Sequence, residues 1–98
     1  MTPRFSVRTV PAFHRLARQL ARHHPEFIGV LAQATEILEA DPHNAGRTHN
    51  ILKLKNVPAG QGQYRLRLGR FRFRYDIAGR EVALLYCGLR SEDTYRDR

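Results

Sequence analysis

The sequence predicts an α+β fold: an N-terminal strand, a helical hairpin, and then an antiparallel β-meander whose one face is covered by the helices. Three patterns predict it. Residues 63–77 alternate between polar and apolar on both sides of Gly69-Arg70, residues 11–40 carry helical apolar spacing, and residues 82–87 are apolar throughout. At 98 residues the chain is long enough for one modest core, so we expect a single domain over 1–98.

The N-terminal third contains the predicted strand and both helices. Arg4–Val10 alternates and predicts a short strand that pairs at an edge of the sheet, although the sequence does not say which edge. Pro11 suits the first turn of a helix that runs to about Arg22. A second helix is expected from about Pro25 to Ala40, before Asp41-Pro42. The apolar stripes consist of Phe13, Leu16, Ala17 and Leu20 in the first helix, and of Phe27, Leu31, Ala34 and Leu38, widened by Ile28, Val30 and Ile37, in the second.

The stretch 63–77 predicts a β-hairpin. Glycine favours the first central position of a type II′ turn, so Gly69-Arg70 predicts a two-residue loop. The resulting register pairs Leu68 with Phe71, Arg67 with Arg72, Leu66 with Phe73, Arg65 with Arg74, and Tyr64 with Tyr75. Like charges directly opposite one another destabilise a sheet. The arginine face therefore indicates a surface that binds a polyanion, and the alternative is an ordinary solvated face in an arginine-rich protein.

A third strand of the meander is expected after a second tight turn at Gly79-Arg80. This register pairs Val82 with Ile77, Leu84 with Tyr75, and Tyr86 with Phe73. The other face of the strand then carries Ala83, Leu85 and Cys87. Because both faces are apolar, the strand is expected inside the sheet rather than at its edge. The segment 50–57, which contains Lys53-Leu54-Lys55, gives no clear secondary structure.

Composition indicates the class of partner and the compartment. A formal net charge of +8 and a pI near 10.8 favour an anionic partner, either nucleic acid or an acidic protein. One cysteine allows no intramolecular disulfide, and no apolar run approaches the ~20 residues of a membrane span. The N-terminus lacks the apolar core of a signal peptide. We therefore expect a cytoplasmic protein with no membrane partner.

Metal, nucleotide and thiol sites are not predicted. The five histidines are scattered, with no cysteine or carboxylate at ligand spacing, so no metal is expected. No glycine-rich phosphate loop, dinucleotide fingerprint or nucleophile elbow occurs, so no cofactor is expected. Cys87 lies mid-strand among apolar residues and is expected to be a small packed residue rather than a nucleophile.

Arg90 and Tyr95, which follow the last predicted strand, add two candidate functional groups. Arg90 is expected to approach the ends of the neighbouring strands, and Tyr95 follows five residues later. Guanidinium groups bind phosphate and meet developing negative charge, and RNA supplies its own nucleophile in the 2′-hydroxyl. These groups fit a ribonuclease site that works without metal. The alternative is an exposed tail with no role.

The order of these segments resembles the RelE/ParE superfamily of type II toxins. The resemblance covers nearly the whole chain: a strand, a helical hairpin, KLK, YRLRLGRFRFRYDI, an apolar strand and GLRxxxxYR, with Lys53–Tyr95 as its most specific part. The RelE branch cleaves mRNA in the ribosomal A site, whereas the ParE branch inhibits DNA gyrase without being a nuclease. The resemblance favours the RelE branch, which implies a metal-independent endoribonuclease, that is, an mRNA interferase.

By this resemblance each candidate residue has a role in mRNA cleavage. Arg65 and Arg67 would hold the RNA backbone and help to activate the 2′-hydroxyl. Arg72 would stabilise the pentavalent phosphorane. Arg90 would stabilise phosphate or donate a proton to the leaving 5′-oxygen, and Tyr95 would orient the nucleotide or stack on it. The remaining RNA-binding candidates are Lys53, Lys55 and Arg74, and Arg74 is also a candidate for antitoxin contacts.

The resemblance also implies partners and has two departures. The implied partners are a cognate acidic antitoxin, the ribosome and its mRNA, and operator DNA reached only through the antitoxin complex. The basic pair of RelE is lysine, whereas arginine stands here, which is a poor proton acceptor. Other branches place a histidine where this chain has Leu89, so the proton-transfer groups stay unassigned. A ParE-like gyrase inhibitor and a non-toxic nucleic-acid-binding remnant remain as alternatives.

Overall fold

The fold is α+β, with two helices packed on one face of a mostly antiparallel sheet, as predicted. The computed structural model describes residues 4–90, and within them five strands form one sheet in the order β1-β5-β4-β3-β2. The strands are β1 (Ser6–Thr9), β2 (Ile51–Lys53), β3 (Tyr64–Leu68), β4 (Phe71–Ala78) and β5 (Glu81–Leu89), and the helices are α1 (Pro11–His23) and α2 (Phe27–Ala40).

The β3–β4 hairpin has the register that the alternation predicted. Arg67 lies opposite Arg72 and Arg65 lies opposite Arg74, with Leu66 opposite Phe73 between them. Gly69 takes a φ of +61°, whereas Arg70 has a negative φ, as the first and second central positions of a type II′ turn require. A two-residue turn allows only one alignment of the two strands. The register is therefore determined by the turn together with the burial of one face.

The β4–β5 register is only partly as predicted. Val82 pairs with Ile77 and Leu84 pairs with Tyr75, but the predicted pairing of Tyr86 with Phe73 is wrong. A register shift leaves Leu85 as an extra residue, so that Tyr86 lies opposite Arg74 and Cys87 lies opposite Phe73. An extra residue exchanges the faces of the side chains that follow it. Cys87 therefore packs in the core and Tyr86 joins the arginine face.

Both edges of the sheet are short strands. β1 pairs in parallel with β5, with Ser6 opposite Glu81, so the N-terminal segment lies at an edge as expected. Both helices and the strands β2 to β4 lie between β1 and β5 in the chain, so the connection is long enough for a parallel pair. At the other edge, β2 pairs with β3. The segment 50–57, for which no clear secondary structure was predicted, therefore contains a short edge strand. β5 therefore lies inside the sheet, between β1 and β4.

The core lies between the helices and one face of the sheet. The ring of Phe27 stacks on that of Phe73 at 5.9 Å between centroids, and Phe13 is 1% exposed. The hydroxyl of Tyr75 donates a buried hydrogen bond to the carbonyl oxygen of Pro42 at 2.7 Å, which joins the loop after α2 to the sheet. Ile28 is 66% exposed, so its predicted place in the buried stripe is wrong.

The helices follow the other parts of their predicted patterns. The buried residues of α2 are Phe27, Ala34 and Leu38, at the helical spacing that places them on one side, while Ile28 is rotated about 100° away from Phe27. α1 packs on β5, and α2 contacts β1 and β3. In the part of the chain that the structure describes, no helix is long and apolar enough to cross a membrane.

Candidate nucleic-acid interface

The face of the sheet that points away from the helices carries four arginines on β3 and β4. Arg65, Arg67, Arg72 and Arg74 alternate with Leu66 and Phe73, which are fully buried beneath the helices. The arginine side chains consequently point away from the core, and each is partly buried by its neighbours on the sheet. We call the surface formed by Arg65, Arg67, Arg72, Arg74 and Tyr86 the arginine face.

Arg90 is held beside the β3–β4 turn by the backbone. Its amide donates a hydrogen bond to the carbonyl oxygen of Arg70 at 3.0 Å, one step beyond the pairing of Phe71 with Leu89. The exposed side chain of Arg90 therefore begins at the end of the sheet where Arg67 and Arg72 lie. This agrees with the prediction that Arg90 approaches the ends of the neighbouring strands.

Arg67 is the electrostatic centre of this group. Burial lowers the pKa of the Arg67 guanidinium, and the positive charges of Arg90 and Arg72 lower that pKa further. In addition, the Nε atom of Arg67 is buried and has no hydrogen-bond partner within residues 4–90. Three guanidinium groups thus lie close enough to repel one another. A phosphate or phosphorane placed among them would relieve that repulsion and accept charge-assisted hydrogen bonds.

Arg74 has a different environment at the far end of the face. Its Nε donates to the carbonyl oxygen of Gly62 at 2.9 Å, and one terminal nitrogen donates to that of Gln61 at 3.1 Å. The carboxylate of Asp76 accepts the backbone amides of Gly62 and Gln63 at 3.0 and 2.9 Å. Arg74 and Asp76 therefore hold the loop that precedes β3. Contact of Arg74 with RNA or antitoxin stays a prediction.

The two lysines are not brought together with the arginines. Lys53 lies opposite Tyr64 in the register, and its Nζ is 5.7 Å from the centroid of that ring. The ring of Tyr64 stacks on Tyr75, which belongs to the helix-covered face. Lys53 is consequently on the opposite side of the sheet from the arginine face, and Lys55 is exposed just beyond β2. Their RNA-binding roles stay predictions.

Arg70, in the turn itself, is engaged by the helical hairpin. One terminal nitrogen forms an exposed ion pair with Glu26 at 2.6 Å and also lies 2.9 Å from Nδ1 of His24. Its hydrogen bond to Glu26 lowers the pKa of that carboxyl group. The turn is thereby tied to the link between α1 and α2, which orients the end of the sheet where Arg67, Arg72 and Arg90 meet.

Tyr86 is a residue of this face that the sequence prediction missed. The register shift at Leu85 places it opposite Arg74. Its phenol extends over Gly88, where a Cβ atom would lie only 2.9 Å from Cζ of Tyr86. The available signal was Gly88 itself, since a glycine inside a strand often marks a bulge or a close approach. The predicted aromatic group, Tyr95, lies outside the described residues.

Neither a metal centre nor a reactive thiol is found in residues 4–90. No group of three or more histidine, cysteine, aspartate or glutamate side chains that could hold a metal ion occurs there. Burial raises the pKa of the Cys87 thiol to about 12, so the thiolate that nucleophilic chemistry requires is suppressed at neutral pH. The chemistry available on the described part of the arginine face is that of guanidinium groups and one phenol.

Comparison with known proteins agrees with this architecture. The sequence matches no protein-family model and no curated protein. In structure, the chain is similar to a chain of the RelB–RelE antitoxin–toxin complex from Methanococcus jannaschii, with a TM-score of 0.60 and 13% sequence identity. The superposition covers 92% of this chain and 98% of that chain. At this identity the fold is what the two chains share, and the fold of this protein is therefore RelE-like.

Proposed function

We propose that this protein is the toxin of a type II toxin–antitoxin system and acts as a ribosome-dependent endoribonuclease. The observation that supports this most directly is the meeting of Arg67, Arg72 and Arg90 on the face of the sheet that points away from the helices, where burial and the charges of its two neighbours lower the pKa of Arg67. A stable fold without a polyanionic ligand gains nothing from three adjacent like charges. The RelE-like fold supports the same reading.

The arginine face fits cleavage of RNA by its own 2′-hydroxyl. In the proposed reaction, Arg65 and Arg67 bind the phosphate backbone on either side of the scissile bond. The 2′-hydroxyl gives its proton to water as its oxygen attacks phosphorus, and Arg72 and Arg90 stabilise the phosphorane. The bond from phosphorus to the 5′-oxygen then breaks, and that oxygen takes up a proton. The products are a 2′,3′-cyclic phosphate and a 5′-hydroxyl. Guanidinium groups that are already in place supply charge stabilisation without reorganisation at the moment of reaction.

The ribosome is the proposed source of substrate orientation. The described arginine face offers guanidinium charge, and we assign the in-line placement of one nucleotide to the ribosome. Orientation of the reacting atoms is worth several kcal/mol in such reactions. An mRNA codon held in the ribosomal A site would arrive oriented, so we expect cleavage of free RNA to be far slower than cleavage of ribosome-bound mRNA.

An acidic antitoxin is the proposed protein partner. The structural neighbour belongs to an antitoxin–toxin complex, and the net charge of +8 favours an acidic binding segment here. Such a segment would cover the arginine face and block RNA, and operator DNA would be bound only through the antitoxin complex. A neighbouring reading frame that encodes a small acidic protein with a DNA-binding half would support this arrangement.

Inducible expression followed by mapping of mRNA 5′ ends tests the proposed nuclease. We expect growth arrest with new 5′ ends inside coding sequences, and loss of both in Arg72→Ala and Arg90→Ala. The matched control is Arg18→Ala, which removes an exposed arginine from α1 on the helix side of the sheet. Intact mRNAs, together with an arrest that neither variant relieves, would contradict the proposal. Inhibition of gyrase supercoiling by the purified protein would then favour the ParE-like alternative.

A further inference from the structure

Tyr86 places a phenol directly beside the arginine predicted to stabilise the phosphorane. Gly88 lies opposite Arg72 in the register, and the phenol of Tyr86 fills the space that a side chain at position 88 would occupy. Side chains at directly opposite positions of an antiparallel pair lie about 5 Å apart. The hydroxyl of Tyr86 is thus presented at the strand position that faces Arg72, on the half-buried surface between β4 and β5.

The proposed cleavage needs a proton donor, because the 5′-oxygen leaves poorly as an alkoxide. Arginine is a weak donor, since it holds its proton even where, as for Arg67, burial and neighbouring charges lower the pKa of the guanidinium from its ordinary value. Both oxygens of Asp76 already accept backbone hydrogen bonds from the loop before β3. A phenol has a pKa of about 10 and carries its proton at neutral pH. On the described part of the arginine face, Tyr86 is therefore the group best suited to give up a proton.

We propose that Tyr86 protonates the 5′-oxygen as the leaving group departs, an inference that rests on the proposed nuclease function. The electron pair of the breaking bond between phosphorus and the 5′-oxygen remains on that oxygen. The oxygen takes the phenolic proton and leaves as a 5′-hydroxyl. The resulting phenolate lies among guanidinium groups, which stabilise its negative charge. Water accepts the proton of the attacking 2′-hydroxyl, and solvent returns one proton to the phenolate after the product leaves, so the protons balance. Arg90 is then a phosphate-stabilising group only.

A substrate whose leaving group needs no proton gives the direct test. We would compare an all-oxygen mRNA with the same mRNA carrying sulfur in place of the scissile 5′-oxygen, both bound in the A site of purified ribosomes. Loss of a general acid typically slows a reaction by about 100-fold or more. We expect Tyr86→Phe to slow single-turnover cleavage of the oxygen mRNA by about that factor. The rate at which the same variant cleaves the sulfur mRNA should lie within about threefold of the wild-type rate.

Two further variants separate proton donation from folding. Gly88→Ala keeps Tyr86 but places a methyl group where the phenol lies, which displaces the phenol. We therefore expect this variant, like Tyr86→Phe, to cleave the oxygen mRNA slowly and the sulfur mRNA at nearly the wild-type rate. Gly88 has no positive φ, and the atoms it would displace belong to the end of one side chain, so the fold should tolerate alanine. The control Tyr64→Phe removes a hydroxyl from the helix-covered face and should cleave both mRNAs at the wild-type rate.

The possible results distinguish this inference from the function on which it rests. If the wild-type protein cleaves neither mRNA, the proposed nuclease function fails and the inference falls with it. If the wild-type protein cleaves both, but Tyr86→Phe slows both equally or slows neither, the nuclease function stands and proton donation by Tyr86 is overturned. Selective rescue of Tyr86→Phe by the sulfur mRNA supports the inference.

Discussion

Arg67 and Arg72 lie directly opposite one another at the first polar pair beyond the β3–β4 turn. Arg90 adds a third positive charge, and burial together with the charges of Arg90 and Arg72 lowers the pKa of Arg67. Like charges at facing positions destabilise an antiparallel pair, and the buried Nε of Arg67, which has no hydrogen-bond partner among residues 4–90, adds a desolvation cost. The end of the sheet that we propose as the nuclease site therefore lowers the stability of the unliganded fold.

Replacing Arg67 should raise stability while it lowers activity. Threonine suits a strand and removes one charge from the cluster, so we expect Arg67→Thr to increase the free energy of unfolding by about 1 kcal/mol. Urea denaturation at low ionic strength measures this. The difference from wild type should shrink in 1 M salt, where the screening length falls to about 3 Å. Cleavage of ribosome-bound mRNA should fall in the same variant.

The control for that change is a strand arginine with an acidic partner. Arg8 on β1 forms an exposed ion pair with Glu81 at 3.4 Å. Arg8→Thr should leave the free energy of unfolding unchanged or lower it by up to about 1 kcal/mol, the usual range for an exposed pair. If Arg67→Thr proved less stable than wild type at low salt, repulsion at the arginine face would not be a significant cost.

The hairpin could be predicted from sequence because two independent signals agreed. Alternation over residues 64–68 and 71–77 assigned the faces, and Gly69-Arg70 allowed one turn length, so every cross-strand pair followed. The same two signals place Arg65, Arg67 and Arg72 on one face from the sequence alone. Arg90 followed from its place just after the last strand.

The register shift at Leu85 could not be predicted in this way. Residues 82–87 are all apolar, so a shift by one residue leaves the hydrophobic pattern unchanged and gives no signal in the sequence. Tyr86 was consequently assigned to the core face and Cys87 to the open face, the reverse of what the structure has. The choice of the edge beside β5 for β1, and the hydrogen bonds of Arg74 to a distant loop, depend on non-local packing, which local patterns do not encode.

Arg74 and Asp76 should control the mobility of the loop before β3. Asp76→Ala removes the acceptors of the Gly62 and Gln63 amides, and Arg74→Ala removes the donors to the Gly62 and Gln61 carbonyls. At about 1 kcal/mol for a lost hydrogen bond, exchange of the Gly62 and Gln63 amides should accelerate about fivefold or more in Asp76→Ala. Native-state hydrogen exchange followed by NMR measures these two amides directly.

The control and the functional comparison for this loop use the same assay. Arg80→Ala removes a hydrogen bond to the carbonyl oxygen of Arg4 at the opposite edge of the sheet, so exchange at Gly62 and Gln63 should not change. Unaltered exchange in both Asp76→Ala and Arg74→Ala would show that these side chains do not hold the loop. If Arg74 also binds RNA, Arg74→Ala should reduce mRNA cleavage more than Asp76→Ala does.

Cys87 should make the protein sensitive to alkaline pH. Burial beside Phe73 raises the pKa of the thiol from its ordinary value of 9 to about 12, so the unfolded chain loses this proton at lower pH than the folded chain does. The stability that the neutral thiol contributes is complete below pH 9 and is lost as pH rises from 9 to about 12. Linkage limits the loss to about 1.4 kcal/mol per pH unit from one group.

Cys87→Ala removes this dependence and keeps the other titrating groups. Below pH 9 the variant should be less stable than wild type, because the smaller side chain leaves a void beside Phe73. Between pH 9 and 11 its stability should fall less steeply, so the two curves should approach one another. Chemical denaturation at half-unit pH intervals measures both curves, and contributions from Tyr75 and the lysines cancel in the difference. Parallel curves across this interval would mean that the thiol ionises in the folded protein as readily as in the unfolded chain, contrary to its burial.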